Sequence, residues 1–229
     1  MPVDIEIPKH LPAITLPGTI LFPQVILPLH IFEDRYREMI KDVLARDRIF
    51  AVLTLREDEE GSEEFLCPEP PYPVASAGMV RACQDMENGT SNIILQGLCR
   101  IQVEDILSEV PYRTIAIRPL LSEPLPDADT GEQLRLQLLN CLHRRRRLGS
   151  PVTKEMMNFL KNLREPEVVA DVVAFSLCEN LGEKYRLLKT LPVETRLRQL
   201  IAINEKEITR LHLQKKLQGD LPDNDIPRN

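Results

Sequence analysis

One of the four histidines stands at a spacing that suits acid–base or metal chemistry. His30 is followed three residues later by Glu33, in the run His30-Ile-Phe-Glu33. An imidazole and a carboxylate can share a proton or hold a cation when the fold brings them together. The alternative is a histidine that shapes the junction between a strand and a helix. We favour this alternative because a single H-x-x-E is a weak signal.

The common nucleotide-binding and serine-nucleophile motifs are missing. None of the nine glycines is followed by lysine, so no G-x-x-x-x-G-K-[ST] loop exists, and there is no G-x-G-x-x-G, G-x-S-x-G or S-x-x-K. The five cysteines are widely spaced and form no C-x-x-C pair. Free cysteine packs as a small hydrophobe, so reduced and mostly buried thiols are expected. We predict a chain that is not an enzyme and that holds no metal and no cofactor.

The strongest charge run is His143-Arg144-Arg145-Arg146-Arg147. It is either a patch for phosphate or an acidic partner, or the solvated end of a helix whose last carbonyls favour cations. We favour the helix end. The net charge of -6 and the aromatic content of 4% also argue against nucleic acid as a partner.

No membrane partner is expected, because no apolar run reaches the roughly 20 residues that span a bilayer. The segment from Met1 to Lys9 shows no leader pattern, so a cytoplasmic location is the expectation.

An apolar run broken by Pro23 and Pro28 turns into an amphipathic helix at the start of the chain. Its helical apolar positions are Phe32, Tyr36, Met39, Ile40, Val43 and Leu44. Proline lacks a backbone donor, so Gln24 to Leu27 is predicted as a short strand at an edge or bulge.

The rest of the first half predicts short strands. We expect them at Leu11 to Leu16, Ile49 to Leu55, Val74 to Cys83, Asn92 to Leu98, Arg100 to Ile106 and Tyr112 to Leu120. Asn88-Gly89 predicts a hairpin, and Gly97 predicts a bulge or a close backbone approach. The acidic segment from Arg56 to Glu64 is predicted as a solvated loop. Six or more short strands and one early helix favour a small barrel or an open sandwich.

The period becomes helical after the proline-rich stretch from Pro119 to Thr130. One helix carries Leu134 and Leu138, a second is expected to be capped by Ser150-Pro151, and Glu167 to Leu181 is apolar nearly all round. A last helix begins between Thr190 and Val193, with Asn204 breaking its apolar stripe. We therefore predict an α+β chain in which 1–121 form a β-rich lobe, 122–219 an all-helical bundle lobe and 220–229 a flexible tail.

The segment Leu21-Phe-Pro-Gln-Val-Ile-Leu-Pro-Leu-His-Ile-Phe-Glu-Asp-Arg-Tyr-Arg37 resembles the start of the Lon protease substrate-binding N-terminal domain. Gly78-Met-Val-Arg81, Leu95-Gln-Gly-Leu-Cys-Arg-Ile101, Ala170-Asp-Val-Val-Ala174 and the run from Tyr185 to Leu197 are similar to later blocks of the family. Family members often carry proline where this chain has Asp34. The resemblance spans about Leu11 to Leu211.

The resemblance implies a PUA-like β-barrel lobe joined to a helical bundle. It also implies a non-catalytic module that binds unfolded or degron-like polypeptide segments, as an adaptor in protein quality control beside an ATP-dependent protease. No ATPase or protease segment follows, so a stand-alone domain is expected, although a truncated Lon would show the same pattern. An RNA-binding PUA-like protein is the alternative. The residues expected to contact polypeptide are Phe22, Leu29, His30, Phe32, Glu33, Arg35, Tyr36 and Arg37. Core packing is the alternative role for these residues, and we favour it for Phe32 and Tyr36.

Overall fold

The computed structural model of the chain describes residues 6–56 and 69–219, with side chains described as far as Leu217. The elements are β1 (His10–Leu16), β2 (Ile26–Ile31), α1 (Asp34–Leu44), β3 (Ile49–Thr54), β4 (Val74–Asp85), β5 (Ser91–Ser108), β6 (Thr114–Leu120), α2 (Ala128–Arg147), α3 (Lys154–Asn162), α4 (Pro166–Leu177), α5 (Leu181–Lys189) and α6 (Val193–Gly219). Strands precede all helices except α1. This segregation confirms the predicted α+β class.

All six strands belong to one sheet in the order β2-β5-β4-β3-β1-β6. Strands β1 and β3 are parallel, and the other paired neighbours are antiparallel. Because β6 pairs with both β1 and β5, five of the strands form a ring. Within the described residues, β2 pairs with the first half of β5 alone. It is therefore an edge strand, as the prolines around it predict.

Strand β5 corrects the prediction of two separate strands, because it runs without a break through 18 residues. Gly78 pairs with Gly97 and Ala77 with Cys99, so Leu98 is an extra residue in a bulge. A Cβ added at Gly97 would lie 2.0 Å from the carbonyl oxygen of Phe22. Both features predicted at Gly97 are thus confirmed, and the strand continues past it because a bulge bends a strand without ending it.

Strand β2 begins later than predicted. Gln24 has a φ of 61°, which belongs to a turn and not to a strand, and the strand runs from Ile26 through Pro28 to Ile31. Helix α1 follows with Tyr36, Met39, Ile40 and Val43 on the expected buried face. The prediction is wrong for Phe32, which precedes the first helical residue Asp34 and is exposed. The Asn-Gly hairpin is also confirmed, since the Met86 N–H donates to the Thr90 carbonyl and Gly89 has a φ of 77°.

The sheet has apolar residues on both sides of β3, which explains why this strand is one continuous apolar run. Phe50 and Val52 pack in a cluster with Met39 and Ile40 of α1. Ile49, Ala51 and Leu53 point the other way, into a second cluster. Its other members are Leu11, Ala13, Ala75, Ala77, Ile101, Ile115 and Ile117. A strand that is buried on both faces needs no polar alternation.

The chain divides into two compact units, Met1–Glu123 with Asp171–Pro192, and Pro124–Ala170 with Val193–Asn229. In the first unit, a buried ion pair fixes the segment from Asp171 onward to the sheet. Arg100 donates to both Asp171 carboxylate oxygens at 3.0 and 2.6 Å, and to the Leu188 carbonyl at 2.8 Å. The division into domains 1–121 and 122–219 stays a prediction, and the predicted tail 220–229 lies outside the described residues.

Helices α2 and α6 form the core of the second unit through leucines that include Leu138, Leu142, Leu197 and Leu200. The residue that interrupts the apolar stripe of α6 is buried with a polar partner: Asn204 accepts a hydrogen bond from Arg145 at 2.8 Å. Helix α3 is capped by Thr153, not Ser150, because the Thr153 hydroxyl accepts from the Met156 N–H.

Candidate polypeptide-binding site

The structure separates the eight predicted contact residues into buried, half-buried and exposed ones. Leu29 is half-buried and packs against the core. Phe22 and Tyr36 are buried in the core. The Tyr36 hydroxyl lies 3.3 Å from the Thr15 N–H and 3.4 Å from the Thr15 carbonyl, and burial raises the pKa of its phenol. These two aromatic side chains hold β1 and the segment before β2 in place, so neither offers a surface to a polypeptide. Core packing is the role that the structure gives them.

The charged members of the group are half-buried and engage one another or nearby acids. Arg35 donates to Glu33 at 2.9 Å and to Glu69 at 2.9 Å, and its guanidinium lies over the Tyr36 ring at 4.5 Å. The hydrogen bond to Glu69 raises the pKa of Arg35 above its ordinary value. Arg37 donates to Asp34 at 2.8 Å. These ion pairs stabilise the start of α1, and they neutralise much of the charge that Arg35 and Arg37 would otherwise offer to a partner.

The residues that remain accessible lie where β2 ends. Phe32 exposes 63% of its surface, and its ring stacks on the imidazole of His30 with 6.1 Å between centroids. His30 Nδ1 lies 2.8 Å from the side-chain oxygen of Asn92 on β5. The Asn92 amide in turn lies 3.6 Å from the sulfur of Met86. A continuous row of side chains therefore runs from an exposed phenylalanine to the β4–β5 hairpin.

This row borders an exposed apolar area that we call the outer face. It consists of Ile26, Pro28, His30 and Phe32 at β2, Asn92 and Ile94 of β5, and Met86 of the hairpin. Ile26 and Ile94 expose 49% and 38% of their surfaces. A shallow cavity of about 430 Å³ opens here. Its lining is Pro28, Leu29, His30, Ala82, Cys83, Gln84, Asn92, Ile93 and Ile94.

The sequence analysis missed Ile26, Ile94 and Met86. A signal was present for Ile26, because strict alternation places Ile26, Pro28 and His30 opposite in direction to Leu27, Leu29 and Ile31. The same alternation on β5 places Asn92 and Ile94 opposite in direction to Ile93 and Leu95. The assignment of the strand to Gln24–Leu27 hid that alternation. Met86 carries no such signal, since its place depends on the hairpin turn.

His30 and Glu33 have separate partners. His30 contacts Asn92, whereas the Glu33 carboxylate accepts from Arg35. Among the described residues there is no group of three or more His, Cys, Asp or Glu side chains that could hold a metal ion. Four cysteines of the described part, Cys83, Cys99, Cys141 and Cys178, are in the reduced thiol form. Burial raises the pKa of Cys99 and of Cys141 to about 11. Cys67 and most of the predicted acidic loop lie outside the described residues.

The arginine run forms the end of α2, as we expected, but not all of it is solvated. Arg144 forms an ion pair with Glu205, and the buried Arg145 donates to Asn204. Arg146 and Arg147 are exposed. The prediction of a solvated run is wrong for Arg145, because a neighbouring helix supplies it with a polar partner.

No helix of the described residues is long and apolar enough to cross a membrane.

The model of the ATP-dependent protease La (LON) substrate-binding domain matches residues 10–205, and the chain belongs to this family. It is 24% identical over 216 residues to the Lon protease of Dictyoglomus thermophilum, covering 94% of this chain and 27% of that protein. The Lon protease of Trichlorobacter lovleyi is 25% identical over 219 residues, with 94% and 26% covered. The chain thus spans about a quarter of the length of these curated relatives.

Two solved structures share the fold. The N-terminal domain of Mycobacterium avium complex Lon protease superposes with a TM-score of 0.65 at 19% identity, covering 86% of this chain and 98% of that one. A Lon N-terminal domain protein from Xanthomonas campestris gives 0.58 at 20% identity, with 84% and 97% covered. Both agree with the α+β architecture. The recognition made from Leu21 to Arg37 is therefore confirmed over most of the chain.

Proposed function

We propose that this chain is a non-catalytic recognition module that binds unfolded or degron-like segments of other proteins. The observation that carries the proposal is the outer face: an exposed apolar surface on a member of a substrate-binding family. Large exposed apolar side chains that are contiguous are characteristic of interaction surfaces. Single ones scattered over a surface would have no such meaning.

The composition of the outer face suits an unfolded client. Ile26, Pro28, Ile94 and Phe32 offer apolar contacts, and His30 and Asn92 add hydrogen-bonding groups without a fixed charge. An unfolded segment exposes the apolar side chains that a folded protein buries, so it gains most from such a surface. The cavity beside Pro28 is about 430 Å³, which is room for one or two client side chains.

We further propose that the module works as an adaptor that brings such segments to an ATP-dependent protease of the cytoplasm. Its relatives of similar sequence are Lon proteases, of which it spans only the substrate-binding part. The structure does not favour the RNA-binding alternative. Within the arginine run, Arg144 forms an ion pair with Glu205 and Arg145 donates a hydrogen bond to Asn204.

The experiment compares two double variants with similar loss of exposed apolar surface. Phe32→Ala with Ile94→Ala removes outer-face side chains that are 63% and 38% exposed, whereas Phe159→Ala with Leu136→Ala removes side chains that are 53% and 46% exposed on α3 and α2. The probe is fluorescently labelled, reduced and carboxymethylated lactalbumin, with the native protein as the folded control. We expect binding of the unfolded form only.

The expected loss on truncating Phe32 follows from its area. A phenylalanine of about 200 Å² that is 63% exposed offers roughly 130 Å². At about 25 cal/mol per Å² this is about 3 kcal/mol, and partial burial and ordering costs reduce it to about 1–2 kcal/mol. The outer-face variant should therefore bind at least about fivefold more weakly. Equal affinity of wild type and outer-face variant, or loss only in the α2/α3 variant, would contradict the proposal.

A further inference from the structure

Among residues 6–56 and 69–219, no strand pairs with one side of β2, and the hydrogen-bonding directions of its backbone can be assigned residue by residue. The Gly97 N–H donates to the Val25 carbonyl at 2.9 Å, in the same register that pairs Ile26 with Gln96. Peptide groups alternate in direction along an antiparallel strand. The backbone N–H and C=O groups of the odd-numbered residues of β2 therefore point toward β5. Ile26, Pro28 and His30 then point their backbone groups away from the sheet.

Three carbonyls and two N–H groups therefore line this free edge, since Pro28 has no N–H. The missing donor falls on the outward side, where it costs no bond to β5. In the described part of the chain, no backbone hydrogen bond outside the β2–β5 ladder reaches Ile26, Pro28 or His30. All three residues are exposed.

A second free stretch in the same sheet is protected in ways that β2 is not. Strand β4 extends past its pairing with β3 at Ile49–Met79, so Arg81 to Asp85 also have one side that pairs with no other described strand. That stretch begins with a bulge at Arg81 and carries a charge at both ends. Bulges and charges are the usual devices that stop another chain from adding to an edge. Strand β2 pairs with β5 in continuous register and contains no Asp, Glu, Lys or Arg.

We propose that an extended client segment adds to β2 as a further strand of the sheet. The client would then bind through main-chain hydrogen bonds to β2 as well as through side-chain contacts with the outer face. This proposal rests on the proposed function, whose site it deepens. Main-chain pairing gives affinity that does not depend on sequence, and alternate side chains give selectivity. Client side chains on the outer face would lie beside Ile26, Pro28 and His30, so uncharged apolar or β-branched residues at alternate positions are the preferred chemistry.

The occupant is a client segment and not a second copy of the chain. In a two-fold pairing of β2 with itself, Pro28 would appear on both strands, and the shared ladder would lose a donor twice. When a client strand without proline pairs with β2, only the N–H group of Pro28 is missing from the ladder. Its N–H groups can then donate to all three outward carbonyls.

Hydrogen exchange of single amides, followed by NMR, tests the pairing. In the free protein, we expect Ile26 and His30 to exchange faster than Leu27, Leu29 and Ile31, whose N–H groups point toward β5. A fluorescently labelled hexapeptide, Thr-Val-Thr-Val-Thr-Val, serves as the extended client. At saturation it should slow amide exchange at Ile26 and His30 by about tenfold or more. The amides of α3, which lies in the second compact unit, are the internal control and should not change.

A pair of variants measures the contribution of the outward-pointing Ile26 N–H group to peptide binding. Valine and proline are similar in size, so Ile26→Val and Ile26→Pro differ mainly in one N–H group that makes no bond to β5. We expect Ile26→Pro to bind the hexapeptide about 2- to 10-fold more weakly than Ile26→Val, the range for one hydrogen bond. Circular dichroism and the urea midpoint check that both variants are folded.

The outcomes separate this inference from the proposed function. Binding of carboxymethylated lactalbumin and hexapeptide without slower exchange at Ile26 and His30 overturns the added strand and leaves the proposed function standing. Absence of binding to both probes overturns both. Slow exchange at these two amides in the free protein, together with sedimentation as a dimer, overturns the inference by showing that a second copy covers the edge.

Discussion

Truncating Asp171 to alanine leaves the guanidinium of Arg100 buried without the carboxylate that neutralises it. Both side chains are 1% exposed, and the two hydrogen bonds between them measure 3.0 and 2.6 Å. Breaking a buried pair by removing one partner costs about 3–5 kcal/mol, because the remaining charge keeps its desolvation penalty. We expect Asp171→Ala to lower the free energy of unfolding by about this amount.

The matched control is an exposed pair in the same sheet. Arg118 and Glu104 lie 3.2 Å apart with side chains 60% and 50% exposed, so Arg118→Ala should change stability by no more than about 1 kcal/mol. Replacing both buried partners, with Arg100→Met and Asp171→Leu, should restore much of the loss, since no lone charge remains. The Leu188 carbonyl then loses its donor, which costs about 1–3 kcal/mol.

Urea unfolding at neutral pH, followed by circular dichroism with the slope checked for each variant, measures these differences. If Asp171→Ala were no more destabilising than Arg118→Ala, the pair would not hold residues 171–192 to the sheet. If the double replacement were worse than Asp171→Ala alone, the reasoning about the uncompensated charge would be refuted.

Three further predictions concern packing, the helical unit and pH. Gly97→Ala should lower the free energy of unfolding by about 1–3 kcal/mol or more in urea titrations, because its Cβ would lie 2.0 Å from the Phe22 carbonyl oxygen; a loss below about 0.5 kcal/mol would contradict the close approach. Asn204→Leu takes an acceptor from the buried Arg145 and should lower the melting temperature, corresponding to about 1–3 kcal/mol, whereas Thr209→Ala on the exposed side of α6 should have little effect. Burial and the hydrogen bond to Asp42 raise the pKa of Tyr112 from 10.0 to about 12. The unfolded chain therefore releases this proton first as the pH rises, so the stabilisation is complete below about pH 10 and is lost between about pH 10 and 12. Stability of Tyr112→Phe should fall less over that window, and parallel curves for the two proteins would refute the shift.

Local patterns in the sequence predict the elements whose cause is local. The spacing of Met39, Ile40 and Val43 places α1, and Asn88-Gly89 places the β4–β5 turn. Both depend on the preferences of a few adjacent residues. The resemblance around Leu21 to Arg37 then identifies the family over most of the chain.

Features that depend on distant partners were not predictable in this way. Arg100 and Asp171 are 71 residues apart, and no periodicity indicates that they form a buried pair. The same holds for the burial of Arg145 against Asn204, where a charged run looked solvated. Of the proposed contacts, Phe22 and Tyr36 are in the core. Phe32 is exposed because it precedes α1, which begins at Asp34, so the helix period that buries Tyr36 does not extend to it.

Photo-crosslinking tests the central claim most directly. The photoreactive residue benzoylphenylalanine replaces Phe32 in one variant and Phe159 in the other, two phenylalanines of comparable exposure in the two compact units. Irradiation with reduced, carboxymethylated lactalbumin should give a covalent adduct at position 32 and little at position 159, with none from the native protein. Equal adducts at both positions, or an adduct at position 159 alone, would contradict polypeptide recognition at the outer face.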